Sequence, residues 1–373
     1  MDDSAFVNQV MLTCIGNKRK LVDHIRIILS GVADVLGKQK LVLADGFAGS
    51  TVVSRMMASM ADVLYTNDLE LYSHCMAKCF LVTPTEEQQV RIRYHIDTMN
   101  GLAEKGPYSK GILSKLYAPQ NTNQIQQGER CFYTQENAQI LDTLRAYIDT
   151  VEPELKWYCL APLLNKASIH TNTAGVFKGF YKDGPIGAFG GKDKNALSRI
   201  LKPIRLDMPI WSKHTFQAHC FQQDINTIVK ELPSGIDVMY LDPPYNQHPY
   251  GSNYFMLNVL AKNEEPTDIS RVSGIPTNWN KSSYNTYLTA FEAMKSLLRD
   301  GLLKAKYLLI SYNNEGILRD ADWAKLFQGY VVKKHSIPYD AFKGSRNLQD
   351  RSDKVMEIMY LISMSSSSDS SSP

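Results

Sequence analysis

No stretch of this 373-residue sequence approaches about 18 uninterrupted apolar residues, so no membrane-spanning helix is expected. Cysteine is scarce: there are six, with no C-x-x-C pair. Cys75 and Cys79 stand four apart on an expected helix beside His74, but no second ligand pair follows at zinc-finger spacing. Buried free thiols are therefore expected, and no structural metal. The opening Met1-Asp2-Asp3-Ser4 lacks the basic start of a signal peptide, so a cytoplasmic location is expected. Neither sign of charge dominates: 41 Lys and Arg against 38 Asp and Glu leave +3, too little on its own to name a polyanion partner. No internal repeat is visible. What is present is an ordinary globular composition, 44% hydrophobic and 21% charged, long enough for two domains.

The sequence is organised around Leu241-Asp242-Pro243-Pro244-Tyr245. Val238 to Leu241 read as a buried strand, an unbroken apolar run that the two prolines stop. A carboxylate and an aromatic ring are thus left on a stiff loop at the carboxyl end of a strand, the edge where open α/β sheets hold their ligands. A carboxylate beside proline carbonyls only accepts hydrogen bonds. It suits a planar amino group that must be held while its nitrogen reacts, and a tyrosine offers a face for a heterocycle. Taken alone, the tetrapeptide also reads as a Pro-Pro turn with a capping aspartate.

Upstream, Ile15-Gly16-Asn17-Lys18 precedes a helix whose Leu21, Ile25, Ile28, Leu29 and Val32 recur at helical spacing. Leu41 to Ala44 form a short strand, followed by the glycine turn Asp45-Gly46-Phe47-Ala48-Gly49-Ser50 and a helix through Met57. A second strand ends at Asp68, about 20 residues after the turn, where an acid meets ribose hydroxyls in nucleotide-binding βαβ units. From about 83 to 214 the pattern changes. A helix is expected from Gln135 to Tyr147, with Ile140, Leu141, Leu144 and Ile148 on one face. It is followed by the glycine-rich aromatic stretch Asn172 to Lys182 and by Lys192, Lys194, Arg199, Lys202 and Arg205. Basic side chains interleaved with rings suit nucleic acid. The strand through Phe221 leads to Asp224, and a short helix separates it from the strand ending at Asp242. These two strands are expected to be neighbours. Strands at 307–312, 329–338 and 355–363 close the sheet around a basic loop containing Lys343 and Arg346.

Together these segments resemble the amino-group DNA methyltransferases, the Dam-like group that methylates adenine N6 within restriction-modification systems. Asp242-Pro243-Pro244-Tyr245 matches the catalytic D-P-P-Y of that group. Asp45 to Ser50 is similar to its S-adenosylmethionine loop, D-x-F-x-G-x-G, and Gly16-Asn17-Lys18 to its N-terminal motif. Asn172-Thr173-Ala174-Gly175-Val176-Phe177 resembles its N-x-x-G-x-F segment. The order of cofactor loop, insert and catalytic loop is that of its alpha arrangement. Thr51 departs from the pattern, standing where a second glycine is usual; a β-branched residue there calls for a negative φ.

The resemblance implies an α/β, Rossmann-like S-adenosylmethionine-dependent methyltransferase fold with a mixed, mainly parallel sheet. It places the catalytic domain at 1–82 and 215–364 and a smaller inserted target-recognition region at 83–214; the serine-rich composition of 365–373 reads as a disordered tail. S-adenosyl-L-methionine is the implied cofactor, held by Gly16, Asn17, Lys18, Asp45, Phe47, Ala48, Gly49, Ser50, Asp68, Asp224 and Asp242. Asp68 is assigned to the ribose and Asp224 to the adenine amino group. Asp242 and the Pro243 carbonyl would accept from the target N6, with Pro244 shaping the loop and Tyr245 stacking on a base flipped from duplex DNA. Lys178, Lys182, Lys192, Lys194, Arg199, Asn246, Tyr250, Lys343 and Arg346 are the implied DNA contacts. Double-stranded DNA is the implied partner, and a cognate restriction endonuclease acting separately is the further one such a system allows. Two alternatives stay open on sequence: an enzyme for adenine in RNA or a glutamine amide, and a DNA-binding module that keeps the fold without catalysis.

Overall fold

The computed structural model describes residues 3–9, 12, 16, 18–191, 193–340 and 354–365. The chain opens with α1 (Ser4–Asn8) and α2 (Val22–Leu36), whose Ile25, Leu29 and Val32 are buried along one face. Gly37 ends α2 in the left-handed region, φ 62°, and turns the chain into β1 (Leu41–Asp45). Helix α3 (Val52–Met57) leads to β2 (Ala61–Asp68), and α4 (Leu71–Leu81) follows.

Next come four helices: α5 (Glu86–Lys105), α6 (Ile112–Leu116), α7 (Gln135–Asp149) and α8 (Lys156–Ile169). A capping box starts α5, with Thr85 Oγ1 accepting from the Gln88 N–H and Gln88 Oε1 from the Thr85 N–H. A small ribbon, β3 (Lys182–Asp183) with β4 (Ile186–Gly187), and α9 (Leu197–Leu201) complete this part. The sheet then resumes with β5 (Gln217–Gln222), α10 (Ile225–Glu231) and β6 (Ile236–Leu241). After these come α11 (Tyr250–Asn253), α12 (Phe255–Lys262), α13 (Tyr287–Leu302) and β7 (Ala305–Asn313). The chain finishes with α14 (Asp320–Leu326), β8 (Tyr330–Asp340) and β9 (Lys354–Met364).

The seven large strands lie in the order β5-β2-β1-β6-β7-β9-β8. The first five are mutually parallel; β9 runs antiparallel to β7, and β8 to β9. Strands covered on both faces read as continuous apolar runs, and every residue of β6 is buried. Its one acid, Asp237, sits away from the carboxyl end, paired with Lys38 at 2.7 Å and Lys306 at 3.3 Å. The strands fall where the sequence places them, but one expectation about their neighbours fails. β5 and β6 do not adjoin, because β2 and β1 lie between them. The chain runs to opposite sides of β1, with β2 on one flank and β6 on the other, and such a switch point opens a crevice at the carboxyl edge.

The helices of 83–214 are not a separate ball. Ile140, Leu141, Leu144 and Ile148 of α7 are buried in one apolar cluster with Leu29 of α2, Leu43 of β1 and Phe80 of α4. Arg145 of α7, itself buried, donates through Nε to the Leu260 carbonyl and through Nη2 to that of Ala261, tying the insert to the end of α12. Cys75, Cys79, Cys131 and Cys159 are buried free thiols and Cys220 is partly exposed; Cys14 lies outside the described residues. Among the described residues no helix is long and apolar enough to cross a membrane, and no three His, Cys, Asp or Glu side chains are grouped to hold a metal. The tail after Ser365 also lies outside the described residues.

Candidate active site

The carboxyl ends of the parallel strands deliver acids to one cleft, about 930 Å³ with its solvent-filled mouth included. β1 supplies Asp45, β2 Asp68 and β6 Asp242, while Asp224 caps α10 just past β5; all four line the cleft. Gly16, Lys18, Phe47, Ala48, Gly49, Ser50, Pro244 and Tyr250 line it too. The strand order spreads the acids across the full width of the crevice.

The glycine turn is shaped by backbone bonds. The Gly46 N–H donates to the Tyr240 carbonyl at 2.9 Å, and a Cβ on Gly46 would lie 2.7 Å from Leu241 Cδ2. β1 and β6 close on each other here because Gly46 has no side chain. The Gly49 N–H donates to Asp68 Oδ2 at 2.7 Å, which pins the turn to the end of β2. Thr51 corrects the sequence reading: its φ is +64°, not negative. The Thr51 N–H donates to the Ala48 carbonyl at 2.6 Å and its carbonyl accepts from Arg55 N–H, so the turn and the first turn of α3 together hold a β-branched residue in the left-handed region.

Burial governs the acids. It pushes the Asp45 carboxyl up to about 7, against a hydrogen bond from Ser54 Oγ, with Asp242 adding repulsion. Burial likewise raises Asp68, against the bonds it accepts from Glu70 N–H and Gly49 N–H. Glu70 is pushed up to about 7 by burial and by Asp68, although Asn258 and Asn280 both donate to it. Asp242 reaches about 6 because burial and Glu357 outweigh the nearby Lys18 ammonium. Lys18 Nζ sits 2.8 Å from Asp242 Oδ1 and 3.3 Å from Glu357 Oε1, and donates to the Gly16 carbonyl. Burial works against that ammonium, but Asp242, Tyr245 and Glu357 more than offset it, and its pKa lies well above the usual lysine value.

Beside this pair, the Tyr245 ring meets Tyr312 edge-on at 6.0 Å and has Lys18 Nζ 5.3 Å from its centre. Gly16, at φ +79°, brings the backbone so close that a Cβ would lie 3.0 Å from the hydroxyls of both Tyr245 and Tyr250. Pro243 is buried behind the loop, and Asn246 accepts through its carbonyl from Asn285 Nδ2 at 2.8 Å.

The implied DNA contacts divide into two kinds. Lys178, Lys182 and Lys194 are exposed on the insert, and Lys182 Nζ lies 5.1 Å from the centre of the Phe180 ring. Arg199 instead points inward, donating to the carbonyls of Ile169, Thr171 and Thr173. Both Lys182 and Arg199 border a second groove, with Thr173, Phe177 and Tyr181. Asn172 is fully buried, where it donates to the Cys131 and Ala188 carbonyls and accepts from Gly190 N–H. Asn17, Lys192, Lys343 and Arg346 lie outside the described residues.

Several cleft residues escape sequence reasoning. Glu70, Asn280, Ser282, Tyr284 and Asn285 line it, the last four from the segment between α12 and α13, which carries no recognisable motif. Tyr284 meets Phe47 edge-on at 5.4 Å, and Asn285 Oδ1 is buried without a partner. Glu357 did leave a signal: it is the one acid in the apolar run of β9.

A donor turn, acids fanned across a switch point and an acceptor-only loop at the lip define an α/β methyltransferase acting on an amino group. Residues 15–319 match the D12 class N6 adenine-specific DNA methyltransferases, and the chain belongs to that family. It is an enzyme that methylates N6 of adenine in DNA, and so uses a methyl donor. The Type II methyltransferase M.NlaIII of Neisseria lactamica is 26% identical over 364 residues, covering 93% of this chain and 98% of its own. The Type II methyltransferase M.CviAII of Paramecium bursaria Chlorella virus 1 is 28% identical over 332 residues, covering 86% and 90%. Modification methylase StsI of Streptococcus sanguinis is 27% identical over 368 residues; this chain spans about half of its length, 51%.

Proposed function

We propose that the chain transfers a methyl group from S-adenosyl-L-methionine to adenine N6 at specific sites in duplex DNA, on a base flipped from the helix, with Asp242 as the catalytic acceptor. The observation that carries this reading is the place of Asp242: on the wall of the cleft lined also by the glycine turn, Asp68 and Asp224, and on the same short loop as Tyr245. The charge of the cleft supports the donor. Asp45, Asp68, Glu70, Asp224 and Asp242 outnumber the one described cation lining the cleft, Lys18, even with Asp45 and Glu70 raised to about 7; that excess of acid disfavours a pyrophosphate and suits a cationic ligand. The partnerless Asn285 Oδ1 gives a buried acceptor for a ligand N–H or O–H.

In this reading Asp68 takes the ribose hydroxyls, Asp224 the adenine amino group, and Phe47 packs on the adenosine. Gly16, Lys18, Asp45, Ala48, Gly49 and Ser50 complete the wall. When bound, S-adenosylmethionine supplies a methyl group carried on a cationic sulfur. Asp242 Oδ2 and the Pro243 carbonyl accept from the target amino group, which draws the nitrogen lone pair out of conjugation with the ring. Tyr245 gives the flipped base a face to stack on. Base extrusion costs a few kcal/mol, which DNA contacts must supply. We assign those contacts to residues 83–214, with Lys178, Lys182 and Lys194 on phosphates and Asn246 and Tyr250 near the flipped base. A cytoplasmic location and a separate cognate restriction endonuclease fit the same reading.

The test is Asp242→Ala. Methyl incorporation into duplex DNA should vanish while S-adenosylmethionine affinity, read by calorimetry, changes only a few-fold. Retained turnover rejects the assignment. The same assay on RNA of matching sequence should show no incorporation by the wild-type protein.

A further inference from the structure

We infer that Glu357 is a positioning residue for methyl transfer: it holds the Lys18 ammonium so that this cation steadies one oxygen of Asp242 and leaves the other to the substrate. The inference rests on Asp242 being the catalytic acceptor. Glu357 lies beyond residues 15–319, the span that matches the family, and its segment carries no motif.

The geometry is specific. An ammonium has three N–H bonds. Three oxygens surround Lys18 Nζ: the Gly16 carbonyl at 3.2 Å, Asp242 Oδ1 at 2.8 Å and Glu357 Oε1 at 3.3 Å. Glu357 Oε1 is fixed in turn by Ser311 Oγ of β7, which donates to it at 2.6 Å. The lysine, the glutamate and the serine are all buried, so no water competes for these bonds. The sheet supplies the rigidity, since β9 pairs with β7 and β7 with β6, whose end carries Asp242.

A buried ion pair alone would not require this arrangement. Lys18 and Asp242 already neutralise each other, and a second buried acid adds charge that costs desolvation. With Glu357 absent, the ammonium would keep two acceptors and close on Asp242, tying up the carboxylate that must take the target N–H. With Glu357 present, the attraction is divided, and Asp242 Oδ2 accepts from no described residue. The other titratable groups facing the pair are Asp45, Tyr240, Tyr245 and Tyr250.

The experiment compares Glu357→Gln with wild type by single-turnover methyl transfer across pH 5 to 8.5, with cofactor affinity and thermal unfolding alongside. The plateau rate should fall about tenfold or more while cofactor affinity holds within a few-fold. The acid limb should also move to lower pH, because a negative charge that opposes ionisation of Asp242 is gone. An unchanged plateau overturns the inference. So does a lowered plateau with an unmoved limb, since a merely structural glutamate would give that. If Glu357→Gln does not fold, Glu357→Asp withdraws the charge from Nζ by one methylene; its plateau should fall, and a wild-type plateau overturns the inference. Asp242→Ala separates the two claims. If it is inactive while Glu357→Gln matches wild type, only the role of Glu357 is lost; if it still turns over, the reading of Asp242 falls first.

Discussion

In the proposed role Asp242 accepts a hydrogen bond best when ionised, so its proton should decide the rate at low pH. Burial has raised its carboxyl to about 6, with Lys18 pulling the other way. As pH falls through that value the carboxylate takes up a proton and transfer should slow, the logarithm of the rate dropping with unit slope. Lys18→Met tests the cause. Methionine fills much of the same space without the ammonium, leaving burial and Glu357 to act on Asp242 unopposed. Its acid limb should move to higher pH, opposite to the shift expected for Glu357→Gln, with a loss at pH 7 of about twofold for the first unit moved, approaching about tenfold for each unit beyond it. Both variants shifting the same way would show that the limb does not belong to Asp242. At this scale the sequence is legible where chemistry is concentrated in a short segment. Asp242, Tyr245, Gly49 and Asp68 stand out because each falls in a motif of a few residues. Tyr284 and Asn285 reach the cleft, and Glu357 reaches Lys18, from turns and a strand far away in the chain; the lone acid of β9 stands out, but no local spacing foretells where any of the three lands.

An element's ends matter more here than its middle. β1 and β6 converge at Gly46, where even one methyl would sit 2.7 Å from Leu241 Cδ2 and 3.0 Å from Ile225 Cδ1. Neither neighbour can retreat, since both are buried in the same apolar cluster. Gly46→Ala should therefore cost about 1–3 kcal/mol by overpacking, read as a shift of the denaturation midpoint with unchanged slope. Cofactor affinity should fall with it, because Phe47 and Gly49 would be displaced. Wild-type stability in that variant would mean the strands are not held this closely. Thr51 shows where local rules mislead. Its β-branch argues for negative φ, yet the bonds to Ala48 and Arg55 set the backbone at +64°. Hydrogen bonding within the turn and the first turn of α3 overrides an intrinsic preference of about 1–2 kcal/mol. Strand positions were legible from apolar runs such as 236–241. Their order was not, because periodicity says which residues are buried and nothing about which strand lies beside which.

Across the whole molecule, the charge proposed to meet DNA is local. The net +3 is small, whereas Lys178, Lys182, Lys194, Lys202 and Arg205 are all exposed on the insert. That insert shares its buried cluster with the sheet, so phosphate contacts made on it fix the position of the cleft rather than that of a loose appendage. Each phosphate neutralised releases counterions and steepens the fall of log affinity against log salt by about 0.9. Lys178→Ala with Lys182→Ala should therefore flatten that slope by about 1–2 while leaving the preferred DNA site and the unfolding temperature unchanged. Arg199→Ala should behave in the opposite way. Its guanidinium is spent on three backbone carbonyls, so its loss should lower the unfolding temperature and leave the salt slope nearly as it was. The two lysines and the arginine of this stretch thus separate in one pair of measurements. A flattened slope for Arg199→Ala, with stability intact, would move that arginine from the scaffold to the DNA.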